Sequence, residues 1–241
     1  MKDWHTSFFK IWEKVQFRIY TEEQNKAQTD FIQKALKLKK GMSVLDVPCG
    51  FGRISHILAQ KGINVTGIEF NKRVLNYGIE KAKDEGLKIN YIAGDMRNFS
   101  FRKKFDAALC WFGSIGYFSD EDNEKFIKSV SRCIKKGGKF LIDTHTLETI
   151  MAIFQPVSEN RYGKIPIKEE RELDLETSRI NVKWTLGKES KRSSIRLYSY
   201  KEMTDLLKRY GFGKFKGTVN YKGDKFKHGS TRLFLVCEKI K

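Results

Sequence analysis

No apolar run in this chain approaches the roughly 20 residues that cross a bilayer. The opening residues, Met1-Lys2-Asp3-Trp4-His5, have no apolar segment of the signal-peptide kind. Cysteine is sparse: Cys49, Cys110, Cys133 and Cys237 stand far apart, with no CxxC pair, each in or beside an apolar segment. That pattern argues against a disulfide framework or a thiolate metal cluster and for reduced core thiols. The expectation is a soluble, cytoplasmic protein with no metal and no membrane contact. Acidic residues are outnumbered. The 47 Lys and Arg against 29 Asp and Glu leave a net charge of +18, which invites an anionic partner. The excess is spread evenly, because residues 1–146 carry 26 basic and 17 acidic groups and residues 147–241 carry 21 and 12. Even spread is what lysines solvating a surface produce.

With 241 residues, 40% of them hydrophobic, the chain can build one α/β domain with an insertion. Its organising stretch is Val44-Leu45-Asp46-Val47-Pro48-Cys49-Gly50-Phe51-Gly52-Arg53-Ile54-Ser55. This reads as a buried strand, a glycine turn and a helix start. Glycines let backbone approach a ligand closely, and the helix aims free N–H groups at whatever sits in the turn. Strands at 43–47, 64–69, 89–93, 105–112 and 139–144 alternate with helical patterns. Thr21, Asn71 and Ser119 are the capping residues of three of those helices. Such alternation implies βαβ units and a parallel sheet covered on both faces. Residues 147–197 break the pattern. Ile180, Val182, Trp184 and Leu186 alternate with polar residues as in a half-buried strand, and segments near 168–175 and 190–198 can pair with it. A helix at 200–210 and strands near 214–221 and 231–238 complete the chain.

Four features fall at the carboxyl ends of successive strands, which line one crevice in an open parallel sheet. Asp46 with the Gly50/Gly52 turn belongs to the first, Glu69 to the second, Asp95-Met96 to the third, and Cys110-Trp111-Phe112-Gly113-Ser114 to the fourth. A carboxylate such as Glu69 can accept both hydrogen bonds of a ribose diol. Asp95 can hold an adenine amino group while Met96 packs the ring.

Taken in order, VLDVPCGFG, Glu69 in GIEFN, GDM at 94–96, FDAALCWFGSIGYF and the late GGKFLID strand resemble the class I S-adenosylmethionine-dependent methyltransferases. The resemblance covers about residues 40–146, and the terminal helix and strands by topology. It implies a Rossmann-like, doubly wound, mostly parallel seven-stranded sheet whose last strand inserts antiparallel. An antiparallel β insertion follows the fifth strand. The implied division is a core with N-terminal lid helices over 1–146, an insertion over 147–197 acting as a cap or dimer contact, and the end of the core over 198–241. The implied cofactor is S-adenosyl-L-methionine. Gly50 and Gly52 border its amino-acid part, Glu69 its ribose, and Asp95 with Met96 its adenine. Pro48-Cys49 departs from the small residues usual at that place.

Methyl transfer from a sulfonium asks for alignment, dryness and aromatic walls. Trp111, Phe112, Tyr117, Tyr20 and Trp12 are the candidate rings. His145, past the fifth strand, is the candidate base, and Arg18 the candidate partner of the cofactor carboxylate under a folded lid. Arg53 and Arg97 are expected to pair with surface acids. The fourth strand carries neither an Asn/Asp-Pro-Pro-aromatic run nor a Pro-Cys nucleophile, which disfavours two nucleobase chemistries. A small-molecule N or O acceptor is the leading expectation, with a monomer or homodimer. RNA is the rival acceptor, on the strength of a tail with eight basic and two acidic residues from 213 onward, interleaved with Phe215, Tyr221 and Phe226. Edge lysines that discourage strand pairing explain the same tail. A non-catalytic binder of the cofactor stays open, as does a nicotinamide dehydrogenase, since Gly50-x-Gly52-x-x-Ser55 nearly matches the dinucleotide fingerprint.

Overall fold

Strand β1, Ser43–Asp46, lies inside the sheet between β4 and β2, and its apolar residues face a core on each side. The computed structural model describes residues 4–162 and 164–241 and, of Arg18, the backbone alone. Two helices precede β1: α1, Trp4–Trp12, and α2, Glu22–Leu36. The core then alternates α3 (Arg53–Gln60), β2 (Asn64–Glu69), α4 (Lys72–Asp84), β3 (Asn90–Ala93), β4 (Phe105–Cys110), α5 (Asp120–Cys133) and β5 (Ile134–Thr144). After β5 come α6 (Leu147–Ile153) and the strands β6 (Val157–Tyr162), β7 (Ile165–Asp174), β8 (Arg179–Leu186) and β9 (Glu189–Arg196). Helix α7 (Tyr200–Arg209), β10 (Phe212–Thr218) and β11 (Leu233–Lys239) close the chain.

The seven-stranded sheet has the order β10-β11-β5-β4-β1-β2-β3. Its strands are parallel except β11, which runs antiparallel to both neighbours, with Leu235 opposite Ile142 and Phe234 opposite Thr218. Side chains alternate between faces with period two. Val44, Ala107, Leu141 and Phe234 face a core built with α2 and α3. Leu45, Ala108, Ile142 and Leu235 face a core built with α5 and α7. Each fully buried Leu or Ile among them stabilises the fold by roughly 1.5–3 kcal/mol.

The caps act where the sequence pattern puts them. Thr21 and Gln24 form a reciprocal capping box at α2, Asn71 accepts N–H bonds at α4, and Ser119 does so at α5. Two elements escape the sequence reading. Helix α6 starts at a capping box of Thr146 and Thr149, in a stretch read as having little helical periodicity. Strand β6 carries the mostly exposed pattern of Val157–Tyr162, so no hydrophobic alternation marks it. Strand β5 also begins earlier than the expected 139, with Gly137 and Gly138 inside it. Strands β6 to β9 form a separate antiparallel meander. Its small core of Ile180, Val182 and Leu197 is joined by Leu147 and Ile150 of α6. Helix α1 is wedged beside this cap, with Phe8 against Trp184 at 5.4 Å. No described helix is long and apolar enough to cross a membrane.

Helix α4 presses on the glycine turn. A Cβ on Gly78 would lie 2.6 Å from the carbonyl oxygen of Phe51 and 2.9 Å from its carbon. Helix propensity alone favours alanine there by about 1 kcal/mol. Overpacking against rigid backbone costs about 1–3 kcal/mol and wins. Gly78→Ala is therefore expected to lower the denaturant midpoint. A raised midpoint would show that α4 can retreat freely from the turn.

Candidate active site

The crevice lies at the carboxyl ends of β1, β2 and β3 and is covered by the N-terminal segment. Asp46 ends β1 fully buried and accepts the Ser55 hydroxyl at 2.7 Å. Desolvation pushes its pKa up to about 7, against the pull of Ser55 and Arg53. In the turn that follows, Gly50 has φ +56, and a Cβ placed on it would meet nothing within 4 Å. Its N–H donates to one oxygen of Glu69 at 3.0 Å, and the N–H of Asn71 donates to the other at 2.9 Å. Glu69 is thereby fixed between two turns. Burial raises its pKa while these N–H bonds hold it down. The Phe70 N–H also acts on this carboxylate, and the acceptor capacity left over is what a ligand hydroxyl can use.

Asp95 and Met96 line the same crevice. Asp95 is already gripped by Arg97, through Nε at 3.0 Å to both oxygens and Nη2 at 2.6 Å to one. Burial pushes the Asp95 pKa up, but these bonds outweigh it and the net shift is downward. Arg97 also holds Asp122 at 2.8 Å, so one of its two acids is a crevice residue rather than a surface one. Tyr20 lines the crevice edge-on to Phe112, at 5.5 Å and 80°. Trp111 reaches the crevice rim, yet its ring is mostly core. It stacks on Phe234 at 5.4 Å and donates from Nε1 to Gln28 at 2.9 Å.

Two candidates fall elsewhere, and a third is not described. Gly52 is outside the crevice wall, and a Cβ on it would sit 1.8 Å from the Tyr91 hydroxyl, so its smallness serves packing. The side chain of Arg18 lies outside the described residues. His145 faces a second cavity, where its Nε2 accepts from Arg232 at 3.2 Å. Burial and the Arg232 charge push its pKa down to about 4, so the ring is neutral with one lone pair occupied. Arg53 corrects an expectation outright. It pairs with no described acid; its Nη1 donates to Asn25 at 2.9 Å and Gln28 at 2.7 Å, and its guanidinium lies 4.6 Å above the Tyr20 ring.

The second cavity, about 550 Å³, lies between the cap and the carboxyl ends of β4 and β5. Its cap side carries a buried Glu169 that accepts from Asn160 at 2.7 Å, from Tyr162 at 3.2 Å and from Arg171. Its core side carries Arg232, bound through two nitrogens to Asp143 at 2.6 and 2.8 Å. Asp143 in turn accepts the Phe112 N–H at 2.9 Å, and its carbonyl accepts that of Gly113 at 2.9 Å. These bonds hold Phe112 at φ +69, a conformation costing a non-glycine residue about 1–3 kcal/mol. Trp12, Phe112 and Tyr117 line both cavities and form the wall between them. Asp143 was discoverable as a carboxylate near a strand end. Arg232, Glu169 and Arg171 had no local signal.

This sheet order, with β11 reversed and the glycine turn and Glu69 at adjoining strand ends, defines a class I S-adenosylmethionine-dependent methyltransferase fold. Residues 44–138 match the family model of the methyltransferase domain. The chain is 35% identical over 129 residues to YqeM of Bacillus subtilis, which covers 52% of this chain and 51% of that protein. It spans about half the length of the curated relatives it matches. A crystal structure of an S-adenosylmethionine-dependent methyltransferase from Clostridium acetobutylicum shares the fold at TM-score 0.78. It has 20% identity over 97% of this chain and 98% of that one. The sugar N-methyltransferase KedS8 from Streptoalloteichus does so at TM-score 0.70, with 16% identity over 97% of this chain and 93% of that one.

The raised pKa of Asp46 has a stability consequence. Below the unfolded value of 3.8 the group is protonated in both states. From there to about 7 the unfolded chain releases its proton and the folded chain keeps it, so stability from this residue falls as pH rises and then levels. Asp46→Asn should remove that slope. Denaturant unfolding across pH should show the variant gaining on the wild type up to about pH 7 and no further. A difference constant with pH would contradict the assignment.

Proposed function

We propose that the chain binds S-adenosyl-L-methionine in the crevice and transfers its methyl group to a small-molecule N or O acceptor in the chamber under the cap. One observation carries the reading: the two cavities share a single wall of three rings, Trp12, Phe112 and Tyr117. When bound, the cofactor would supply a methyl group already activated on a sulfonium. The crevice residues suit it. Gly50 leaves open space beside the turn, Glu69 offers a fixed carboxylate acceptor to a ribose hydroxyl, and Asp95 with Met96 offers an acceptor and an apolar face for an adenine.

The aromatic wall presents π faces, which favour a cation, and it keeps water from the gap between donor and acceptor. Trp12 and Phe112 lie nearly parallel, 28° apart at 6.2 Å. Positioning of this kind supplies roughly 7–11 kcal/mol in favourable systems. His145 is poorly suited as a base, since Arg232 occupies its Nε2 and its pKa is about 4. A neutral amine needs no base before attack, which favours nitrogen over oxygen. KedS8, similar in fold, is a sugar N-methyltransferase. The RNA alternative draws little from the tail. Phe226 stacks on Tyr200 at 5.3 Å, Tyr221 packs on Phe31 at 5.3 Å, and Lys208 covers Phe215 at 5.8 Å. Phe215 and Phe226 are thereby partly covered, and Tyr221 alone of the three stays exposed.

Calorimetry should show binding of S-adenosylmethionine and none of NAD. Glu69→Gln should weaken that binding roughly 10- to 100-fold, the worth of a charge-assisted hydrogen bond. Labelled cofactor should pass its methyl group to members of a panel of small amines and hydroxy compounds and not to bulk RNA. Tight NAD binding without S-adenosylmethionine binding would sink the reading.

A further inference from the structure

The positive charge that is even along the sequence is uneven in space. The five residues preceding each of β1, β2, β3 and β4 include seven Lys or Arg and one acid, Glu85. The five residues following the same strands include three Lys or Arg and one acid, Asp95. Parallel strands gather the first set at one end of the sheet and the second at the other. The amino ends therefore form a basic platform. Strands of four to six residues hold it roughly 13–20 Å from the crevice.

A groove of about 1000 Å³ crosses this platform. Lys88, Arg102, Lys103, Lys104 and Lys135 line it, and no acid among the described residues does. Of these five only Lys135 has a described acid in ion-pair range, Asp106 at 2.6 Å. Asp106 is further occupied by Ser43, whose N–H and hydroxyl it accepts at 2.8 and 2.9 Å. Glu85 is engaged by Lys81 and Gln60. Beyond Lys104, the Lys239 ammonium donates to neutral acceptors, the Ser131 hydroxyl and the Tyr210 carbonyl, each at 2.7 Å. Its pKa is held down by burial and then by the charge of Lys104. Lysines that only keep a surface in solution are interspersed with acids. Here like charges crowd one groove without counter-ions, and a polyanion relieves that repulsion.

The floor of the groove narrows the kind of polyanion. Between the cations lie half-buried Leu87, Ile89 and Phe101 and the side-chain amides of Asn64 and Asn90. An unpaired nucleotide offers a phosphate, a flat apolar base face and a polar base edge, and the groove has a counterpart for each. A duplex hides its base faces, a bilayer presents a plane rather than a strand, and an acidic peptide's carboxylates leave the floor unfilled. We propose that the groove at the amino ends of β1 to β4 binds single-stranded nucleic acid, with Lys88, Arg102, Lys103 and Lys104 on its phosphates. The strand is held at the end of the sheet away from the crevice, as a docked partner and not as the methyl acceptor.

Fluorescence anisotropy of the full chain with a labelled oligouridylate tests this. Four phosphate contacts give a slope of log Kd against log salt of about 3, so affinity should fall roughly 50-fold from about 50 to about 200 mM salt. Lys103→Gln with Lys104→Gln should cut the slope to about 1.5 and weaken binding about 10-fold or more at low salt. Lys222→Gln with Lys227→Gln removes the same charge from exposed positions in the tail and should change neither slope nor affinity. All four lysines are exposed, so both variants should unfold at the wild-type denaturant midpoint. A slope that stays near its wild-type value in the groove variant overturns the proposal, as does an equal loss in the tail variant. Displacement of the label by duplex, polyglutamate or phosphatidylserine vesicles as readily as by unlabelled oligouridylate overturns it in favour of that partner. Absence of wild-type binding at low salt overturns it outright.

Discussion

The site depends on one carboxylate tied at both ends. Glu69 takes the Gly50 N–H on one oxygen and the Asn71 N–H on the other, joining the turn after β1 to the turn after β2. The two strands already run in parallel register, with Asp46 beside Gly67. That register puts the end of β2 beside the glycine turn, and the positive φ of Gly50 turns its N–H onto the acid. A buried carboxylate is expensive unless such donors meet it. Once they do, the same group is fixed in place with lone pairs left for a ligand. Stability and readiness to bind come from one arrangement.

A second fixed point separates the two cavities. Asp143 holds Phe112 in a strained backbone conformation through its carboxylate and its carbonyl, and Arg232 holds Asp143. Strain of this kind persists only where the surroundings over-determine it. Here its effect is to stand a ring between crevice and chamber. Arg232 comes from just before β11, the antiparallel strand, so the reversed last strand delivers a cation to the carboxyl end of β5. The cap sheet then closes the chamber from the other side with its own buried acid, Glu169, and its own cation, Arg171.

Much of this was legible in advance where chemistry is local. Caps at Thr21, Asn71 and Ser119 and the strand alternation are short-range signals, and they mark real element ends. Glu69, Asp95 and Met96 were legible as crevice residues because strand order in a parallel sheet brings carboxyl ends together. Where placement departs from expectation, the cause is a common one. Arg53 follows a turn as a solvated helix-start arginine would, and only packing of α2 over it encloses it. Gly52 sits in the motif, but its space is taken by Tyr91 from β3. His145 stands near a strand end, but the partner that occupies it lies far along the chain in Arg232. Helix α6 and β6 bury little apolar surface, so hydrophobic periodicity could not mark them.

By itself, then, the sequence determined the class of fold, the place of the crevice and the kind of ligand it suits. Those follow from period, caps and turn chemistry, which act over a few residues. The tertiary structure alone decided which arginine has a counter-ion and which has none, which tryptophan is core and which is wall, and whether the histidine is free to act. Each of those is a question of burial and of partners distant in sequence, and desolvation, which sets the charge state and availability of a group, is decided only when the chain has closed around it.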